Sequence, residues 1–243
     1  MKKEFTKILR VRFDRVSRRQ VIRKAKAALV KKKPCLIFTP NPEMCVEASQ
    51  NEYFRDVLNS SDVNICDGFG TYLVAKFLHK TSLERITGVS LFLDICRQVK
   101  AKIFLLGAEE GIAQECKAKL EEKFPGIQIV DTFSGSDKEK DFNKIKDKIN
   151  RSEAQILFVA FGAPKQEIFL HERISDLPSI RVAMGVGGSF DFVAGKVKRA
   201  PYFMRILGLE WLFRLILEPR RIKRIQNATF RFLFLVFRHR DGS

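Results

Sequence analysis

The chain has 243 residues, of which 45 are Lys or Arg and 28 are Asp or Glu, giving a formal charge of +17 and a pI near 9.9 that calls for an anionic partner. With 45% hydrophobic residues but only 14 Gly and 8 Pro it can bury a substantial core, which excludes a disordered or fibrous chain, and its length suits one large domain or a domain with an appendage. Cys35, Cys45, Cys66, Cys96 and Cys116 form no C-x-x-C pair, the N-terminus lacks the apolar run of a signal peptide, and no stretch approaches 18 apolar residues, so a cytoplasmic protein without disulfide scaffold, structural zinc or membrane span is expected.

The first 34 residues hold 14 basic and two acidic side chains, a net of +12. Within them ILRVRF (8–13) predicts a strand, and Ser17 and Gln20 have the spacing of a capping box that opens a basic helix carrying Arg18, Arg19, Arg23, Lys24 and Lys26. The next strand candidates are CLIF (35–38), VNIC (63–66), KIFLL (102–106), IQIV (127–130), ILFVA (156–160) and RVAMGV (181–186). Helix-length segments lie near 71–79, 90–99, 111–123, 138–150 and 165–174. Strands alternating with helices predict an α/β, Rossmann-like fold whose largely parallel sheet is covered by helices on both faces. This middle part, 35–195, has a net charge of only −4.

After Asp191 the rhythm changes. Lys196, Lys198, Arg199 and Pro201 open an all-helical tail, interrupted at Pro219, so a boundary is expected near 195–200, with an α/β domain over 1–195 and a basic amphipathic appendage over 196–243. The tail has a net charge of +9 and mixes arginines with Trp211, Leu212, Phe213, Leu215, Ile216 and Leu217, and later with the run Phe232 to Phe237. That mixture describes a surface that lies on anionic lipid headgroups; helices packed on the body or on another subunit are the other reading, which leaves a homo-oligomer open. No zinc-finger, RNP or basic-zipper pattern occurs, and no nucleic-acid partner is expected.

In a doubly wound sheet a ligand lies beyond the carboxyl ends of the strands, and the residues just after them are polar and Gly-rich here. They are Thr39, Asn41 and Glu43; Asp67, Gly68 and Gly70; Gly107; Gly162, Pro164, Lys165, Gln166 and Glu167; and Gly187, Gly188, Ser189 and Asp191. Five such turns on one edge predict a polar pocket in which glycine-rich backbone approaches a diphosphate. Neither GVGGSF nor GFGTYL completes G-x-G-x-x-G, which disfavours a nucleotide-dependent oxidoreductase, and no P-loop occurs. Asp67 has two readings: a general base at a strand end, or the N-cap of the next helix. With no D-x-D pair, and His79, His171 and His239 scattered, neither a metal nor another cofactor is expected, so leaving-group charge falls to Arg, Lys or backbone amides.

Taken together, TPNPEM (39–44), CDGFG (66–70), ERITG (84–88), FGAPKQE (161–167), GVGGSFDFVAGKVKRAP (185–201) and LGLEWLFRLILEPRRIKR (207–224) resemble the WecG/TagA/CpsF glycosyltransferases, also called glycosyltransferase family 26. The resemblance implies a metal-independent, inverting enzyme, peripheral on the inner membrane face. It would move a sugar, often N-acetylmannosamine, from a UDP donor to an undecaprenyl-diphosphate-linked amino sugar in teichoic acid or related polysaccharide synthesis. It further implies that Asp67 is the base, with Thr39 and Asn41 beside it, and that Arg85 and Gln166 occupy functional positions. Arg214, Arg221 and Arg224 would be basic positions of an appendage that closes over the site and meets diphosphate and membrane. Three features depart from the family pattern: GVSL (88–91) places Ser90 where an acidic residue is usual, TFSG (132–135) replaces an aromatic G-Y-F-like segment, and the first helix is strongly basic. The competing class is a non-catalytic membrane- or nucleic-acid-binding module, in which the strand-end residues only cap helices.

Overall fold

The chain begins, in the computed structural model, with a hairpin where one strand was expected over 8–13. Strands β1 (Phe5–Ile8) and β2 (Val11–Asp14) pair antiparallel across Leu9 and Arg10, both of which have positive φ. The turn is hidden in the sequence because neither residue is the Gly, Asn or Asp that usually marks such a geometry. The structure describes residues 4–31, 33–206, 208–219 and 222–238. Asn64 N donates to Asp14 Oδ2 at 2.8 Å and Arg12 N to Asn59 Oδ1 at 2.9 Å, which fastens the hairpin to the body.

Helix α1 (Arg18–Val30) starts with the expected capping box, Ser17 accepting from Gln20 N while the Gln20 side chain accepts from Ser17 N. Strand β3 (Cys35–Phe38) leads to two helices absent from the sequence expectation, α2 (Pro42–Gln50) and α3 (Glu52–Ser60), capped by Asn41 and Asn51. Then follow β4 (Val63–Asn64), α4 (Phe69–Leu73) continuing as a π-helical turn over Val74–Leu78, α5 (Gly88–Gln98) and β5 (Lys102–Gly107). Next are α6 (Ile112–Lys123), β6 (Gln128–Phe133), α7 (Glu139–Ser152), β7 (Ile156–Ala160), α8 (Lys165–Arg173), β8 (Val182–Gly185) and α9 (Ser189–Ala194).

The six later strands form one parallel sheet in the order β4-β3-β8-β7-β5-β6. Its central strands β3, β8 and β7 are apolar and buried on both faces, as parallel strands must be when helices cover each side. Alternation along β3 sends Leu36 and Phe38 into one core, with Phe54, Phe142 and Phe169, and Cys35 and Ile37 into the other, with Ile22, Phe92 and Phe190. The order reverses around β8: β3 is followed outward by β4, and β5 by β6, which places a crevice at the carboxyl ends of the central strands.

The tail comprises α10 (Tyr202–Ile206), α11 (Glu210–Leu217), α12 (Ile222–Gln226), a π-helical turn over Asn227–Arg231, and α13 (Phe232–Arg238); Pro219 falls between α11 and α12, where the break was expected. Its apolar residues divide between two faces. Phe232 and Val236 join the core that also contains Met44 and Val46 of α2, while Phe230, Leu233, Phe234 and Phe237 are exposed. Among the described residues no helix is long and apolar enough to cross a membrane.

Candidate active site

A cavity of about 570 Å³ opens at the carboxyl ends of β3, β4, β7 and β8 and is roofed by the tail. From β3 come Thr39 and Asn41. Asn41 accepts from Met44 N at 3.0 Å, so it caps α2 as well as lining the cavity, with Pro42 favourably placed in the first helical turn. After β4 the chain turns through Asp67 and Gly68. Gly68 has φ +105°, and a Cβ there would stand 2.9 Å from Pro42 Cδ, so only glycine lets this turn lie against the α2 turn.

The helix after Asp67 is capped by Gly68 with no side-chain bond, so the carboxylate is not its N-cap. Instead Asp67 Oδ2 accepts from Gly88 N, the first residue of α5, at 3.2 Å. Thr39 Oγ1 and Asp67 Oδ2 both lie within 3.5 Å of where a Gly88 Cβ would stand, which gathers the three residues at one point. Arg85 pairs through its backbone with Cys66 and lines the same space, its guanidinium 5.6 Å from the Phe69 ring centre. From the other side come Gly162 and Gln166, after β7, and Gly187 and Gly188, after β8. The tail contributes Arg199, Glu210, Trp211, Ile225, Phe232 and Leu233, so the polar floor meets a largely apolar roof. A carboxylate, a hydroxyl and cationic groups around a substrate-sized cavity suit proton removal from an alcohol beside a departing anion.

Residues 6–243 match the glycosyl transferase WecG/TagA/CpsF family. The chain belongs to that family. It is 38% identical over 214 residues to the N-acetylglucosaminyldiphosphoundecaprenol N-acetyl-beta-D-mannosaminyltransferase of Bacillus spizizenii, covering 87% of this chain and 82% of that protein. A protein of the same name in Bacillus subtilis is 36% identical, with 78% and 74% covered, and one in Staphylococcus aureus is 29% identical, with 90% and 87% covered. As a WecG/TagA/CpsF protein the chain is a glycosyltransferase.

Not every residue expected from the sequence at the polar pocket lines the cavity. Gly107, at φ +98°, is needed for close approach, since a Cβ there would meet the Ala160 backbone at 2.9 Å. Pro164 follows a cis peptide and precedes α8, and Lys165 turns away to pair with Asp137 at 3.2 Å. Glu167 is fully buried beneath Gln166, where burial pushes its carboxyl up to about 7. Asp191 lines a second cavity of about 550 Å³, with Glu109, Glu110, Lys196 and Glu218, which shares Gly188 with the first. Arg221 lies outside the described residues, as do the side chains of Arg214 and Arg224.

Two family departures acquire a structural place. Ser90 belongs to the first turn of α5, where its hydroxyl accepts from Thr87 and from Arg18, and Arg18 also pairs with Asp94 at 2.7 Å. The unusual helix α1 thus supports the helix that anchors Asp67. Thr132 to Gly135 line neither cavity. Arg199, Glu210 and Thr87 do line the first and were not singled out as site residues; Arg199 stood in a charge run read only as the start of the tail.

Proposed function

We propose that this glycosyltransferase moves N-acetylmannosamine from a UDP-sugar to N-acetylglucosamine borne on undecaprenyl diphosphate, in one inverting displacement that uses no metal ion. The observation that carries the reading is the Asp67 carboxylate, anchored by Gly88 N at 3.2 Å inside a cavity shared with Thr39, Arg85 and Arg199. An acceptor hydroxyl gives its proton to Asp67 as its oxygen bonds the anomeric carbon, and the bond to the UDP oxygen breaks with its electron pair leaving on UDP. Arg85 and Arg199 face the charge that develops there, and Arg214, Arg221 and Arg224 are assigned the diphosphates of donor and acceptor on the family pattern. Asp191, which lines the second cavity next to the first at Gly188, is assigned to the nucleotide on the sequence pattern.

What supports the metal-free reading is that the chain has no D-x-D pair and that among the described residues no three His, Cys, Asp or Glu side chains come together as a metal-holding group. Support for the lipid-linked acceptor is the names of the relatives and the exposed Phe230, Phe234 and Phe237, which suit a protein resting peripherally on an anionic membrane, on its inner face. The test is a panel of UDP-sugars with a soluble lipid-diphosphate-N-acetylglucosamine acceptor, read by UDP release and by the anomeric configuration of the product. Turnover with UDP-N-acetylmannosamine and inverted configuration are expected. Retained configuration, or no UDP release from any donor, overturns the proposal.

A further inference from the structure

The loops after β7 and β8 form one side of the cavity, and a single side-chain oxygen ties them together. Gln166 Oε1 accepts from Gly187 N at 2.9 Å and from Gly162 N at 3.2 Å. Both glycines have positive φ, so neither loop is held by the regular geometry of a helix or strand at that point. An amide side chain can serve this purpose only with its oxygen, since its nitrogen turned the same way would set donor against donor. Something must therefore choose the orientation of Gln166.

The neighbouring residue does so. Gln166 Nε2 donates to Glu167 Oε1 at 2.7 Å, and both side chains are buried. The pair rests against Gly185, where a Cβ would stand 2.7 Å from Gln166 Nε2 and 2.9 Å from Glu167 Oε1, so the end of β8 leaves just the space the two side chains fill. Glu167 Oε2 has no hydrogen-bond partner. A buried carboxyl with one unpartnered oxygen destabilises the fold, so its presence calls for a role other than stability.

We propose that Glu167 is a positioning residue for the transfer reaction: by accepting from Gln166 Nε2 it keeps the Gln166 oxygen on Gly162 and Gly187 and so holds together the two loops of the cavity wall. Gln166 then acts as the fastener between the loops. The inference rests on the proposed transfer reaction for its kinetic readout, while amide exchange at Gly162 and Gly187 reads the fastening without any substrate.

The test uses the full-length protein. Glu167→Gln retains an oxygen for Gln166 Nε2 and should keep kcat/KM for the donor within about threefold. Glu167→Leu removes the acceptor but fills the space; it should lower kcat/KM by on the order of tenfold to a hundredfold and speed exchange at Gly162 and Gly187, with the unfolding midpoint unchanged or raised. Gln166→Glu alone sets two buried carboxyl groups against each other and should be poorly active at a pH high enough to ionise both, where the variants are compared. Adding Glu167→Gln to it reverses the bond, with the new amide at 167 donating to the new carboxylate at 166, and should restore at least tenfold of the lost activity. Unchanged amide exchange in Glu167→Leu overturns the fastening whether or not the transfer reaction is as proposed. A double variant no better than Gln166→Glu, or Glu167→Gln as impaired as Glu167→Leu, overturns the positioning role.

Discussion

At the scale of single residues, Asp67 and Glu167 are opposite uses of a carboxyl group. Asp67 lines the cavity and accepts from the Gly88 backbone N–H at Oδ2, so Asp67→Asn should preserve shape while reducing turnover by about 10² to 10⁴, with an unchanged circular dichroism spectrum. Full activity in that variant would remove Asp67 as the base. Glu167 is sealed in, and besides the positioning role proposed for it, it makes stability depend on pH. Burial, opposed by the Gln166 hydrogen bond, raises its carboxyl from 4.5 to about 7. The folded protein therefore binds the proton more tightly than the unfolded chain, so its contribution is fully present below about pH 4.5 and is lost as pH rises to about 7. Across that window wild type should lose on the order of 3 kcal/mol relative to Glu167→Gln, measurable by urea unfolding at several pH values. Asp67 and Thr39 were legible as cavity-lining residues because strand ends face the crevice. Lys165, Gln166 and Glu167 were not separable, because consecutive residues of a helix point about 100° apart and only the packed helix tells which one meets solvent, cavity or core.

The elements show a similar division. Long apolar strands such as ILFVA and the Ser17 capping box announce themselves, whereas the β1–β2 turn carries no turn residue, and α2 and α3 are short helices announced chiefly by the Asn41 and Asn51 caps. Strand β6 runs on to Phe133, three residues past the expected IQIV, because pairing with β5 continues through polar Asp131 and Thr132. The tail helix α13 was legible as amphipathic, but not which side went where. Phe232 is fully buried, and its ring lies 3.6 Å from where a Gly70 Cβ would stand, beside Pro42. Phe232→Ala should lower stability by about 3 to 5 kcal/mol, read by denaturant unfolding. Phe234→Ala, on the exposed side, should leave stability within about 0.5 kcal/mol and instead weaken binding to vesicles. The reverse pattern would show that the helix sits the other way round.

For the molecule as a whole, charge is concentrated at the two ends of the chain, +12 before residue 35 and +9 after 195, around a nearly neutral body. Binding to anionic vesicles should therefore fall steeply between low and high salt, with each basic residue near the surface contributing about 1 kcal/mol. Removing residues 196–243 should abolish most of that binding and the cavity's roof together, leaving a folded body of reduced stability, because Phe232 and Val236 leave the core. Undiminished vesicle binding by the truncated chain would move the membrane contact to α1. The sheet order has a separate consequence, in time. Strand β8 is the last to emerge during synthesis, yet it pairs with both β3 and β7 at the centre. Until residue 185 has left the ribosome, β3–β4 and β5–β6–β7 are two half-sheets with open edges, and the pairing of β8 with β3, far apart in the chain, must form before both edges are covered. The nascent chain is thus most exposed to aggregation immediately before the floor of its cavity comes into being, and the strand that ends that exposure is the one whose last residue, Gly185, bears on Gln166 and Glu167.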